Sequence, residues 1–248
     1  MKQSLLAILT VLALQFCCAD AHAKPSVLPP GKPLVQNWSM ADYGGQVTNW
    51  AIEQAPDGRM LVGNGNYLLI FDGARWRQID TPQGDRVRVM AIGPEGRVWV
   101  GMPNEFGFFE SDETGALVYN SLSERLPEDQ QGFGETYDLN WIDGRVYFGT
   151  LNFLFQWDGH SLSALPKRDR IFRMTLAHQG RLLALIGQDF HDLTVFPSDD
   201  EPLVPILGLQ QPEGVRLTFA ESWPDGRLLM GSLEKGLYWL SEGELPEP

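Results

Sequence analysis

One word recurs along this chain: Gly-Arg, three mostly apolar residues and a second Gly. It is written "GRMLVG" at 58–63, "GRVWVG" at 96–101, "GRVYFG" at 144–149 and "GRLLMG" at 226–231. A looser copy, "GRLLALIG", stands at 180–187. The Gly-Arg pairs are therefore separated by 38, 48, 36 and 46 residues. Repetition near a period of about 40 residues, made of short apolar runs and not of helical stripes, is the mark of propeller blades.

The residues around each word say how a blade is made. Asp57, Glu95, Asp143, Gln179 or Asp225 precedes the Gly, and Asp-Gly between apolar runs signals a tight hairpin, because Gly adopts positive φ without steric cost. The runs carry aliphatic and aromatic side chains on both parities, as strands buried on both faces do. A third strand follows in "YLLIFDG", "FGFFESD", "FLFQWDG" and "GLYWLSEG", and a second Asp-Gly leads into "ARWRQI" and "HSLSAL". Each unit reads as a four-stranded meander. The expected fold is all-β: a β-propeller of four-stranded antiparallel blades, about five of them, over 47–82, 86–127, 134–166, 170–207 and 215–248. Glycines recur too often for a helical alternative, and no unit sustains a 3.6-residue pattern. The fourth unit is the least regular, with Gly187 two positions late and "HDLTVFPSDDEPLVPI" in place of the usual third strand.

Ahead of the repeats, "MKQSLLAILTVLALQFCCADAHAKPS" has the basic start, apolar run and small-residue pattern of a secretory signal peptide, with cleavage after Ala23. Its apolar run, Leu5 to Leu14, is shorter than the roughly 20 residues a spanning helix needs. A lipoprotein signal would place a small residue before the modified Cys, whereas Phe16 precedes Cys17. Residues 24–33 read as a linker and 34–248 as the propeller, in a periplasmic or secreted protein. Both cysteines, Cys17 and Cys18, fall in the signal segment, so neither disulfides nor thiolate metal sites are expected in the mature chain. The formal charge of −13 argues against nucleic acid and anionic lipid as partners, since both demand a basic surface. No later stretch approaches a membrane span.

The pieces "PDGRMLVGNGNYLLIFDGARW", "DGRVYFGTLNFLFQWDG" and "PDGRLLMGSLEKGLYWL" resemble the two-component regulator propeller repeat. The resemblance covers residues 34–245 or so and implies an extracytoplasmic sensor domain of bacterial signalling receptors. Receptors of that type usually continue into more propeller, a β-sandwich, a membrane span and a kinase, diguanylate cyclase or DNA-binding output. Two architectures follow. One is a piece of a longer sensor with about seven blades, preferred because the family features point to a longer parent; the other is a five-bladed ring, in which "PLVQNW" (33–38) supplies the outer strand of the last blade. The resemblance predicts blades whatever they bind.

In a meander the Asp-Gly turns share one face of the disc, and the loops between second and third strands share the other. Those loops carry Asn64, Asn66, Asn104, Glu105, Asn152, Gln188, Asp189 and Glu234; the connections between blades add Asn49, Trp50, Arg86, Glu135 and Tyr137. Amides, carboxylates and aromatic rings around one mouth suit a small polar ligand, an oligosaccharide for instance. The competing explanation is that tight turns need Asn and Gly for their backbone alone. His160, His178 and His191 form no metal-binding pattern, and no nucleophile elbow or phosphate loop is present. No metal and no cofactor are expected, and the chain reads as a binding protein and not an enzyme. The alternative is a propeller glycosidase or lyase, whose acid/base pair would come from Glu135 and Asp138 with Glu105 or Asp189. A sensor implies, besides its ligand, a signalling partner or the remainder of a receptor.

Overall fold

The computed structural model describes residues 35–167, 172–198, 201–211 and 213–240. The expected signal peptide and linker lie outside them. From Trp38 onward the chain forms one compact unit. It opens with a single turn of helix, α1 (Met40–Tyr43), in which Ser39 and Asp42 form a capping box and Gly44 closes the end in the left-handed region.

The rest is strand. Blade 1 holds β1 (Asn49–Gln54), β2 (Met60–Asn64), β3 (Tyr67–Phe71) and β4 (Trp76–Asp80); blade 2 holds β5 (Val89–Ile92), β6 (Val98–Met102), β7 (Glu105–Ser111) and β8 (Leu117–Ser121). Blade 3 holds β9 (Thr136–Ile142), β10 (Arg145–Thr150), β11 (Phe153–Trp157) and β12 (Leu162–Pro166). Blade 4 holds β13 (Phe172–His178), β14 (Arg181–Ile186), β15 (Asp189–Asp192) and β16 (Pro205–Gln210). Three strands of blade 5 are described: β17 (Leu217–Ser222), β18 (Leu228–Ser232) and β19 (Gly236–Leu240). Within each blade the order follows the chain and neighbours run antiparallel. The protein is thus the expected all-β propeller, and β1, β5, β9, β13 and β17 surround a shared channel.

The repeated Asp-Gly word builds two kinds of turn. In blades 3 and 4 the residue before Gly also has positive φ, Asp143 at 46° and Gln179 at 49°, which gives two-residue hairpins. In blades 1, 2 and 5 a proline stands one position earlier, at Pro56, Pro94 and Pro224. Its fixed φ suits the start of a type I turn, so these hairpins are longer, with Ala55, Gly93 and Trp223 bonded across to Arg59, Arg97 and Arg227.

The second Gly has a different cause. A Cβ on Gly63 would lie 2.6 Å from the Val87 carbonyl oxygen of the connection into blade 2, and one on Gly101 would lie 2.5 Å from the Thr136 side chain of blade 3. Inner strands of successive blades meet there, and a side chain would hold them apart. Blade 4 has Leu185 at that place, packed into an apolar cluster with blade 5.

Four apolar clusters lie between successive blades. Leu61, Leu68 and Ile70 meet Met90 and Val100 between blades 1 and 2. Phe106 and Trp99 meet Phe148 and Phe155 between blades 2 and 3, with the Phe106 and Phe148 rings stacked at 4.4 Å. Tyr147 and Leu154 meet Leu182 and Ala184 between blades 3 and 4, and Leu183 and Phe190 meet Leu228 and Met230 between blades 4 and 5. Among the described residues no such cluster joins blade 5 to blade 1, where Ile52 and Leu237 are both 66% exposed.

The outer side of blade 1 is covered instead by the entering chain. Tyr43 packs with Val62 and Leu69, and Trp38 lies 4.9 Å from Phe71 and 6.0 Å from Trp76 between ring centroids. This corrects the ring-closing role expected for 33–38. Residues 33 and 34 lie outside the described residues, and Trp38 is held on the first blade by aromatic burial, away from the last.

Candidate functional site

Four of the five inner strands enter the sheet through an irregularity at the channel mouth. Pairing of β1 with β2 passes from Asn49 to Ala51, leaving out Trp50; β9 leaves out Tyr137, β13 Arg173 and β17 Thr218. Arg88 holds the corresponding place in blade 2, just before the Val89–Gly101 pair. A bulge leaves one residue unpaired and turns its side chain away from the pleat. Here the bulges contribute Trp50, Tyr137, Arg173 and Thr218 to the wall of the mouth, and Arg88, at the matching place in blade 2, completes one from each blade.

Two cavities meet there. One, of about 510 Å³, spans blades 3 to 5 and is lined by Tyr137, Asp138, Lys167, Arg173, Arg216 and Glu234 among others; the other, of about 380 Å³, runs down the channel past Trp50, Arg88 and Glu53. Tyr137 and Asp138 belong to both. The Arg88 guanidinium lies 4.7 Å from the Trp50 ring centroid and 5.8 Å from that of Tyr137, so a cation is held between two accessible rings.

Asp138 and Lys167 are the electrostatic centre of the mouth. Asp138 Oδ2 accepts the Thr175 N–H at 3.0 Å, yet loss of hydration pushes the carboxyl up to about 6, against the pull of that bond and of Lys167 and Arg88. Burial likewise lowers Lys167 to about 8, partly offset by the charge of Asp138. The Lys167 ammonium donates to the Thr150 carbonyl oxygen and lies 5.0 Å from the Phe172 ring centroid. Two groups drawn toward neutral pH from opposite directions, at the edge of a cavity, are what a functional site shows more often than a structural ion pair does. Deeper in the channel, burial and the charge of Glu221 raise Glu53 above the usual carboxylate range.

The loop residues expected around the mouth are dispersed. Asn64 is wholly buried: its Oδ1 accepts the Gln46 N–H at 2.7 Å, and its Nδ2 donates to the carbonyl oxygens of Gln46 and Thr48 and to Asn49 Oδ1. That amide is consumed by backbone, and Asn49 is held with it. Asn66 accepts the Thr81 N–H and hydroxyl through its carbonyl oxygen, while its side-chain Oδ1 is buried without a hydrogen-bond partner. Asn104 has φ of 52° and accepts the Gly134 N–H, beside a separate hollow at Gln131 and Phe133. Glu105 accepts the hydroxyls of Tyr119 and Ser121 within blade 2, and Glu135 pairs with Arg86. Asn152 accepts the Lys167 N–H through its carbonyl oxygen; Gln188 and Asp189 accept the side-chain amides of Gln211 and Gln210.

Of those candidates, Trp50, Tyr137 and Glu234 are the ones brought to the joined cavities, together with Asp138 of the alternative acid/base pair. Sequence reasoning missed Arg88, Lys167, Arg173 and Arg216. A signal for three of them existed: a basic residue stands at or just before each bulge in "RVRV" (86–89), "FR" (172–173) and "VRL" (215–217).

No family model and no curated protein matches this chain. Solved structures do. The extracellular domain of a hybrid two-component system from B. thetaiotaomicron aligns over 77% of this chain and 27% of its own, at TM-score 0.57 and 15% identity. Virginiamycin B lyase from Staphylococcus aureus aligns over 84% of this chain and 73% of its own, at TM-score 0.57 and 12% identity. A chain of a mitotic checkpoint complex aligns over 88% and 72%, at TM-score 0.59 and 9% identity. What they share with this chain is the propeller. A sensor's extracellular domain stands among the neighbours, in agreement with the repeat resemblance, but the chain spans only about a quarter of that domain's length. Among the described residues no helix is long and apolar enough to cross a membrane.

Proposed function

We propose that this chain is the ligand-binding propeller of a periplasmic sensor. It takes a small polar ligand, of the oligosaccharide kind, at the mouth of the channel and reports occupancy to a signalling partner or to the remainder of a receptor. The observation that carries this reading is the set of five side chains, one per blade and four of them at bulges, converging on two joined cavities with Trp50 and Tyr137 partly exposed. Exposed rings offer faces for sugar stacking, and arginines beside them offer donors for hydroxyl and acid groups. The signal-like first 23 residues and the likeness to a sensor's extracellular domain support the compartment. Calorimetric titration of the purified protein against an oligosaccharide panel tests it. Saturable binding that Trp50→Ala or Tyr137→Ala weakens, with every sugar recovered unchanged, is expected; absence of saturable binding across the panel sinks the proposal.

A second reading, a propeller lyase or glycosidase, draws on the perturbed protonation of Asp138 and Lys167 beside the larger cavity. Product formation from a glycan, abolished in Asp138→Asn or Lys167→Met, would establish that reading in place of the first.

A further inference from the structure

The arginines of this protein fall into two sets. Arg59, Arg86, Arg97, Arg181 and Arg227 are each bonded to a carboxylate, from Asp57, Glu135, Glu110, Asp192 and Asp225 respectively. Seven described arginines form no such side-chain pair among the described residues, although the chain carries 32 acidic residues against 19 basic ones: Arg75, Arg77, Arg125 and Arg145, which line neither cavity, and three others, Arg88, Arg173 and Arg216. All three lie at the joined cavities. Arg173 is fixed by donating from Nε to the Gly187 carbonyl oxygen at 3.0 Å, which leaves its terminal nitrogens as donors. Lys167 lines the same space. Of the two carboxylates in that larger cavity, Asp138 already accepts the Thr175 N–H, and Glu234 Oε2 accepts the Ser232 hydroxyl at 2.9 Å; Glu53 and Glu221 line the channel beside Arg88. In the larger cavity Lys167, Arg173 and Arg216 thus stand against two carboxylates, a local positive excess in an acidic protein that an anion would answer.

Resting on the reading of this mouth as a saccharide site, we infer that its ligand is an acidic saccharide, a uronate whose carboxylate is taken between Arg173 and Arg216 while its ring lies toward Tyr137 and Trp50. The guanidinium fork matches a carboxylate in two parallel hydrogen bonds. Arg88, already seated between the Trp50 and Tyr137 rings, adds a cation beside Tyr137, which both cavities share.

The test is calorimetric titration of the protein with trisaccharides of galacturonate, glucuronate and mannuronate, each also as its methyl ester, which keeps the shape and removes the charge. At least one free acid is expected to bind saturably and its ester to bind about tenfold or more weakly. Arg173→Gln and Arg216→Gln should each weaken the free acid and leave the ester unaffected, with thermal melting confirming that the variants fold. An ester that binds as tightly as its acid, or arginine variants with unchanged affinity, overturns the acidic ligand while leaving the saccharide site standing. Failure of all three acids overturns the inference, and if neutral sugars fail as well the underlying reading falls with it. A sulfated disaccharide that binds where the uronates do not overturns the carboxylate assignment.

Discussion

Asn64 shows how one side chain can set the entrance of a blade. It sits at the end of β2, wholly buried, and its amide satisfies the Gln46 N–H and two carbonyl oxygens of the segment leading into β1. Asn64→Ala would leave those groups buried and unpaired, at a cost of about 2–4 kcal/mol, read as a lower urea midpoint with an unchanged slope. The Asp-Gly turns give a pH signature. At the β11–β12 turn the Asp158 carboxylate accepts the N–H groups of Ser161 and His160, which hold it at about 2, well below its ordinary 3.8. A carboxyl depressed in the folded state binds fewer protons than in the unfolded chain. Its contribution is therefore complete above the unfolded value and lost as pH falls from about 4 to about 2. Melting temperatures across that window should fall less steeply in Asp158→Asn than in the parent protein.

At the scale of the element, the same written glycine answers to two causes. The Gly after Asp or Glu is required by backbone conformation, as at Gly58 with φ of 88° and open space around it. The Gly that ends the second strand is required by the neighbouring blade. Gly63→Ala should cost about 1–3 kcal/mol, because the atom met at 2.6 Å is the backbone oxygen of Val87 and not the tip of a flexible side chain. Chemical denaturation of that variant decides it, and a loss near zero would mean that blades 1 and 2 can separate without penalty. The bulge at the top of β1, β9, β13 and β17 is the other recurring element. Without it the pairing register would carry Tyr137 and Arg173 into the sheet and leave the mouth without them.

For the whole molecule, stability is a matter of neighbours. Blades 2, 3 and 4 have an apolar cluster on each face, and blade 1 has one blade and the entering chain. Blade 5 has the cluster with blade 4 on one side, while Phe219, Leu237 and Trp239 remain exposed on the other. In a linear array of repeats each unit is held by its own packing and that of its neighbours. Amide hydrogen exchange should accordingly be slowest in β6, β10 and β14, flanked on both sides, and fastest among the second strands in β18. Equal protection in all five would refute this ordering.

The blades were legible because everything that makes one lies within about 40 consecutive residues: turn chemistry, strand runs and glycines at fixed offsets. That locality is why the repeat, the all-β class and the hairpins could be read without coordinates, while the backbone angles were needed to show that Pro56 and Asp143 belong to different turns. The site is the opposite case. Trp50, Arg88, Tyr137, Arg173 and Thr218 are far apart along the chain, and they meet because successive blades pack face to face around one channel. Loop amides looked like ligand donors because the sequence shows their type and not their partners; Asn64, Gln188 and Asp189 are already bonded within the protein. The sequence by itself determined the blade, a local object; only tertiary packing decided which side chains were left facing the mouth, because that depends on which hydrogen bonds the fold had already used.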